Sequence, residues 1–244
     1  MIGRILWIAA LLGVAVVTAA LQIDRQSERN SELAALVPGP LRNYAQTQIA
    51  GRAVAGQDPA LALRETERLL RRRPIPAEYL TLRAAALGKA GKTEQAALAI
   101  QIAGQRGWRD PVAQEAVLRL ALAAGDKAEA ARRYMALLLR KETKDALLAE
   151  LGPQVFAGTS DTARDTMVDI VVGGERWHSQ FLRRGAGAIP PQDFAAIISA
   201  SLQRGAAFSC GQLGGAAASV KRRDPAAAKV IVDAAATQCP ELVP

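Results

Sequence analysis

"GKTEQAALAI" (Gly91–Ile100) and "GDKAEAARRY" (Gly125–Tyr134) lie 34 residues apart, glycine to glycine, and share a pattern more than an identity. Each places alanine five positions after its glycine (Ala96, Ala130) and a bulky residue four positions later (Ile100, Tyr134). Upstream of each glycine, "AEYLTLRAAALGKA" and "PVAQEAVLRLALAA" also carry helical spacing of apolar residues. A glycine between two such patterns marks a turn, so each unit is predicted to be helix, tight glycine turn, helix.

An earlier unit follows the plan more loosely. "AGQDPALALRETERLLRRRP" sets Ala62, Thr66 and Leu69 34 positions before Ala96, Ile100 and Ala103, but Gly56 lies 35 before Gly91, so its turn needs one extra residue. Small residues facing each other let helix axes approach, bulky ones fill the groove against the next unit, and stacking covers the apolar face that one hairpin leaves open. A fourth unit begins at "KDALLAELGP", where Pro153 is expected to end or kink the helix. "SDTARDTMVDIVV" then restarts one, with Ser160 or Asp161 as its cap. Beyond Gly173 the register is lost. "ERWHSQFLRR" reads as a short helix, "PPQDFAAIISASLQRG" as one entered through Pro190 and Pro191, and "DPAAAKVIVDAAATQ" as one capped by Asp224. "CGQLGGAAASV" is a small-residue stretch suited to close packing.

In period, turn glycines and small residues, this stretch resembles the tetratricopeptide repeat (TPR) family. The family's eighth, twentieth, twenty-fourth and twenty-seventh positions fall on Ala84, Ala96, Ile100 and Ala103 in one unit. In the next they fall on Leu118, Ala130, Tyr134 and Leu137, and Pro74 sits where the first unit's proline would. The match covers residues 43 to 142 and lacks the family's aromatic-rich first helix. The resemblance implies an all-α, TPR-like helical-hairpin solenoid with degenerate C-terminal helices. It also implies a concave face that binds an extended peptide or partner helix, through Glu78, Thr81, Ala85 and Lys89, then Val112, Glu115, Arg119 and Ala123. The paired Lys and Asn with which some members clamp C-terminal carboxylates are missing, and Glu115 with Arg119 also suits an ordinary ion pair one helical turn apart.

Composition agrees with helices: 50% of the 244 residues are hydrophobic, mostly Ala and Leu, and only 4% are aromatic. "ILWIAALLGVAVVTAAL" (Ile5–Leu21) carries no charge, and extended to Ile23 it would cover about 28 Å of helix against a hydrocarbon core of ~30 Å. It reads as a signal anchor in a bacterial inner membrane. The rival is a signal peptide cleaved after Ala19 or Ala20, which would release the chain to the periplasm. Arg4 before this segment resembles the n-region of an exported protein, so the bulk of the chain is placed in the periplasm. Cys210 and Cys239, the two cysteines, fit one disulfide there; two unpaired buried thiols are the alternative. The expected division is residues 1–23 as anchor, 24–41 as linker broken at "VPGP", 42–142 as about three repeats, and 143–244 as a degenerate repeat and helical cap.

The formal charge of +8 is spread over "RRR" (71–73), "RR" (132–133), "RK" (140–141), "RR" (183–184) and "KRR" (221–223), without interleaved aromatics. Nucleic acid is therefore not expected as a partner; anionic lipid or acidic polysaccharide suits the charge better, and the alternative is that the excess charge serves solubility. Catalytic patterns are scarce. His178 is the only histidine, which excludes a multi-histidine metal site within one chain, and no nucleotide-binding or nucleophile-elbow motif occurs. No catalytic residue, metal or cofactor is expected, and His178 reads as a surface or half-buried side chain. The expectation is a non-enzymatic, membrane-anchored scaffold of an envelope assembly in secretion, cytochrome maturation or polysaccharide export. Its expected partner is a protein; the alternative is a basic module for acidic polysaccharide or anionic lipid.

Overall fold

The computed structural model describes residues 2–158 and 161–242, and every regular element among them is helical. The chain divides into two compact units, Met1–Gly107 and Trp108–Pro244.

The first unit holds α1 (Ile2–Gln26), α2 (Tyr44–Ala55), α3 (Pro59–Arg72), α4 (Ala77–Lys89) and α5 (Thr93–Arg106). With mean hydropathy 2.2 over its most apolar 18-residue window and nearly full exposure, α1 is long and apolar enough to cross a membrane. Its buried end carries Asp24, whose carboxylate accepts hydrogen bonds from the amides of Asn43, Tyr44 and Ala45 at 2.8, 3.1 and 2.9 Å. These are amides at the start of α2 that the helix itself cannot satisfy. Residues 24–41, read as a linker, pack against the start of α2. Two 3-10 turns (Ser31–Leu36, Gly39–Leu41) bring Ala34 and Val37 against Ala45, Ile23 and Ile49.

Helices α2 and α3 pack on each other, as do α4 and α5. Asp58 caps α3 through the amides of Ala60 and Leu61, with Pro59 in its first turn. The α4/α5 turn is closed at Gly91 (φ 72°): the Lys92 amide donates to Leu87 O at 2.9 Å and the Gly91 amide to Gly88 O at 3.0 Å. This is the left-handed helix ending that glycine adopts without strain. Gly56, with φ −70°, ends α2 differently, consistent with the extra residue in that turn.

The second unit holds α6 (Pro111–Ala123), α7 (Lys127–Leu138), α8 (Asp145–Phe156), α9 (Thr162–Val172), α10 (His178–Ala188), α11 (Pro191–Gln203), α12 (Cys210–Lys221) and α13 (Pro225–Ala235). The α6/α7 turn repeats the α4/α5 turn 34 residues on: Gly125 has φ 74°, and its neighbours bond Asp126 N to Ala121 O and Gly125 N to Leu122 O at 2.9 and 3.1 Å. Beyond α7 the pairing changes. Helices α7, α9, α11 and α13 pack one on the next, α8, α10 and α12 do likewise, and α8 barely touches α9 or α10 α11.

Tyr134 is fully buried where these rows begin, its ring edge-on to Phe156 and its hydroxyl 3.0 Å from Leu148 O and 3.2 Å from Ala188 O. Burial pushes that phenol's pKa well above its usual value. Ile100, its counterpart in α5, is also buried, but Ala96 is only half-buried where Ala130 is fully so.

Two local expectations are corrected, at Asp161 and His178. Pro153, expected to end or kink α8, stands inside that helix, which runs on to Phe156. Gly152 beside it lets α8 lie against the Ala188 carbonyl at the end of α10, a distance of 2.6 Å from where a Cβ would stand. Asp161 precedes α9 without a capping bond and instead pairs with Arg164 at 2.8 Å; Ser160 lies outside the described residues. His178 is neither at the surface nor half-buried but buried, with Nε2 2.8 Å from Val171 O and Nδ1 3.1 Å from Ala207 O.

Candidate functional site

The residues singled out on α4 occupy one face of that helix, with Glu78 and Lys89 exposed and Thr81 partly so. Lys89 reaches back to donate to Gly56 O at 2.6 Å, where a cation complements the carbonyl end of α2. The Thr81 hydroxyl turns back towards Ala77 O at 3.4 Å. Glu78 forms no ion pair with a described residue and is the side chain on this face most open to a partner.

On α6, Arg119 pairs with Glu115 at 2.9 Å and with Glu150 of α8 at 3.1 Å. The Glu115 hydrogen bond first, then that from Glu150, raises the guanidinium pKa. The expected pair along the helix is thus present and extended into a link from α6 to α8. Val112 remains 61% exposed, an apolar residue at the entry to this face.

The basic clusters behave differently from one another, and the difference locates a site that the sequence reading passed over. Most of their arginines serve the fold. Arg72 donates to the carbonyls of Gly39 and Arg42, and Arg73 lies over the rings of Tyr44 and Tyr79. Arg132 and Arg133 both bind Glu129. Burial raises that carboxyl's pKa, and the two arginine hydrogen bonds outweigh it, leaving the pKa below the usual carboxylate range. Arg223 donates to Ala186 O and Ile189 O at the end of α10. Arg184 is nearly buried and clasps Leu138 O, Arg140 O, Thr143 O and the Asp145 carboxylate at 2.5–2.9 Å. It satisfies the carbonyls left over where α7 ends.

Around Arg184 opens a cleft of about 760 Å³ between the start of α8 and the outer face of α10. Lys141, Lys144, Arg183 and Arg184 line it, with Asp145 as its one carboxylate. Lys141 and Lys144 are exposed and form no ion pair or side-chain hydrogen bond with any described residue. Thr143, only 6% exposed, and Gln180 also line the cleft, and the Thr143 hydroxyl and Gln180 Nε2 are buried without a hydrogen-bond partner. In sequence these cations are two dipeptides and a lone lysine over 40 positions apart. The only advance signal was their charge.

At the other end of the unit, the sulfurs of Cys210 and Cys239 lie at bonding distance, 1.97 Å, with their Cα atoms 5.5 Å apart. The pair fastens the start of α12 to the segment after α13. Both ring nitrogens of His178 lie beside backbone carbonyls, its N–H able to donate to one of them, and the ring packs on Phe208, 4.6 Å between ring centroids. It holds the end of α9 to the 206–208 segment rather than facing a cleft. No family model, curated protein or solved structure matches the chain.

Proposed function

We propose that this chain is a membrane-tethered scaffold of helical hairpins, related in design to tetratricopeptide repeats, that recruits a protein partner in a bacterial cell envelope. The observation that carries the reading is the repeated turn. Gly91 and Gly125 have φ values two degrees apart and the same two closing hydrogen bonds, displaced by 34 residues. Recurrence of one turn geometry between paired helices at one period supports a repeat array, whose usual work is to present a surface made from successive first helices. The apolar α1 supplies the tether, and paired cysteines favour an oxidising compartment, hence the periplasmic side of an inner membrane.

A binding role rather than a catalytic one is supported by what the chemically capable groups are doing: the two sulfurs face each other, and both nitrogens of His178 lie beside backbone carbonyls. Charge does not favour a broad polyanion coat, because arginines from several of the basic clusters are tied to carboxylates, carbonyls or aromatic rings. The partner-binding residues assigned to the scaffold are Glu78 and Thr81 of α4, with Lys89 at its edge, in the first unit, and separately Glu115 and Arg119 of α6 in the second.

The test is photocrosslinking from position 78 and, separately, from position 115 in the full chain in native membranes. Capture of the same envelope protein from either position is expected. If neither captures any, the scaffold reading fails. Trapping thiols in whole cells tests the compartment, since reduced Cys210 and Cys239 would remove the periplasmic assignment.

A further inference from the structure

We propose that the α8/α10 cleft is a binding site for a phosphate group, carried either by a free phosphate monoester or by an anionic lipid headgroup. This inference does not depend on the scaffold reading, because it concerns a different surface with its own chemistry.

Four cations face one carboxylate, and that carboxylate is already committed to Arg184 at 2.5 and 2.9 Å. The cleft therefore holds an excess of positive charge: among the described residues Lys141, Lys144 and Arg183 pair with no carboxylate, and Arg183 donates only to the neutral Gln180 Oε1. Like charges gathered in one cleft repel each other, and they persist most readily where an anion completes the site. The excess at Lys141, Lys144 and Arg183 suits a multiply charged anion with several acceptor oxygens better than a single carboxylate. Lysine supplies compact charge and three donors, arginine a planar fork, and both are ordinary phosphate ligands.

A second feature points the same way. The Thr143 hydroxyl and Gln180 Nε2 are buried polar atoms without partners at this cleft, and such atoms in a native protein call for an explanation. An oxygen-rich ligand would supply acceptors for both. The start of α8 adds backbone amides: Asp145 and Ala146 lie in its first turn, where amides have no partner within the helix. Phosphate alone would leave much of the 760 Å³ empty, and Ala146, Ala149 and Gly187 give the rest of the cleft a small, apolar lining. An ester with an organic part uses both halves.

The experiment follows phosphorus resonances with the full chain held in phosphatidylcholine nanodiscs. One arm adds glycerol 3-phosphate, and the other places phosphatidylglycerol in the disc. The expected result is a saturable response in at least one arm. The responding arm identifies the source as free ester or headgroup. Lys144→Gln with Arg183→Gln should weaken it about tenfold or more. Lys92→Gln, an exposed lysine of the first unit, should leave it unchanged. Lys141→Gln alone gives a smaller loss and serves as an independent check should the double variant melt early. Absence of a saturable response in both arms overturns the proposal, as does an equal response from the cleft variants. So does tighter binding of a carboxylate polymer such as polygalacturonate at the same residues.

Discussion

Gly125 and Gly205 end their helices in the same way, yet only Gly125 returns the chain onto the helix it has just left. At Gly205 (φ 87°) the Ala206 amide donates to Ser201 O and the Gly205 amide to Leu202 O, at 2.9 and 3.0 Å, as in the α6/α7 turn. After Gly125, however, α7 starts two residues later at Lys127, whereas after Gly205 the chain runs through Phe208, buried in the core, before α12 starts at Cys210. A left-handed glycine closes a helix; the distance to the next start decides whether a hairpin forms. The α10/α11 junction makes the point from the other side. Its two residues, Ile189 and Pro190, are both extended (ψ 145° and 136°), and α11 leaves α10 to pack on α9 and α13. Two building rules thus share one chain: neighbours in sequence pair in α2/α3, α4/α5 and α6/α7, and from α7 onward next-but-one neighbours also pair, with α7/α8 and α12/α13 keeping neighbour contacts.

The sharpest way to break this comparison is at the repeat position shared by Tyr134 and Ile100. Tyr134 anchors the start of the second arrangement through its ring and hydroxyl, whereas Ile100 is a buried aliphatic side chain of α5. Tyr134→Ala is expected to lower unfolding free energy by about 4 kcal/mol and Ile100→Ala by roughly 2, read from urea denaturation. Equal losses would mean that Tyr134 is no more than another groove filler. Next comes the closure of the C-terminal rows. Cys210→Ser with Cys239→Ser opens a loop with a sequence separation of 29 residues. This should cost about 3 kcal/mol, shifting the thermal transition of the C-terminal helices and leaving α2 to α5 untouched.

Gly152→Ala would put a Cβ 2.6 Å from Ala188 O and 3.0 Å from the Tyr134 hydroxyl, for a loss of about 2 kcal/mol. The same change at Gly215, which has open space in the interior of α12, should instead stabilise by about 0.5 kcal/mol. The three hairpin glycines separate by backbone alone. Gly91→Ala and Gly125→Ala should each cost about 1 kcal/mol, and Gly56→Ala, whose φ is already negative, close to nothing. The smallest effect is a pH dependence in α7. Because the folded pKa of Glu129 is depressed, its contribution is fully present above the ordinary carboxylate range and is lost as pH falls through the folded value. Glu129→Gln should flatten that acid limb by less than about 1 kcal/mol, since the group is partly solvated.

How much of this was legible follows the same division. The helices α4 to α7, their glycine turns and the Ala130 and Tyr134 packing positions could be read because they depend on residues within one turn or one repeat. Asp224 likewise announces a helix start and accepts the Ala227 amide there, while Asp58 and Asp110 cap α3 and α6 in the same way without having been read as caps. Pro153 did not decide where α8 ends, because a proline in a helix removes one backbone bond but does not forbid three further residues when Gly152 seats the helix against α10. His178 misled because its partners, Val171 O and Ala207 O, are backbone atoms that no motif records. Asp24 gave no sign that it would cap a helix beginning 20 residues away.

By itself, then, the sequence determined the helical class, the 34-residue period, the apolar segment long enough for a bilayer and the residues able to form a disulfide. These follow from local periodicity, from glycine's freedom at positive φ and from composition. Only the tertiary structure decided which cations are spent and which are left over. Arg184 and Arg223 are consumed by carbonyls at helix ends, while Lys141, Lys144 and Arg183 gather at one cleft. Charge is additive along a chain, but its effect depends on distance in space, and that is set by how α8 and α10 pack.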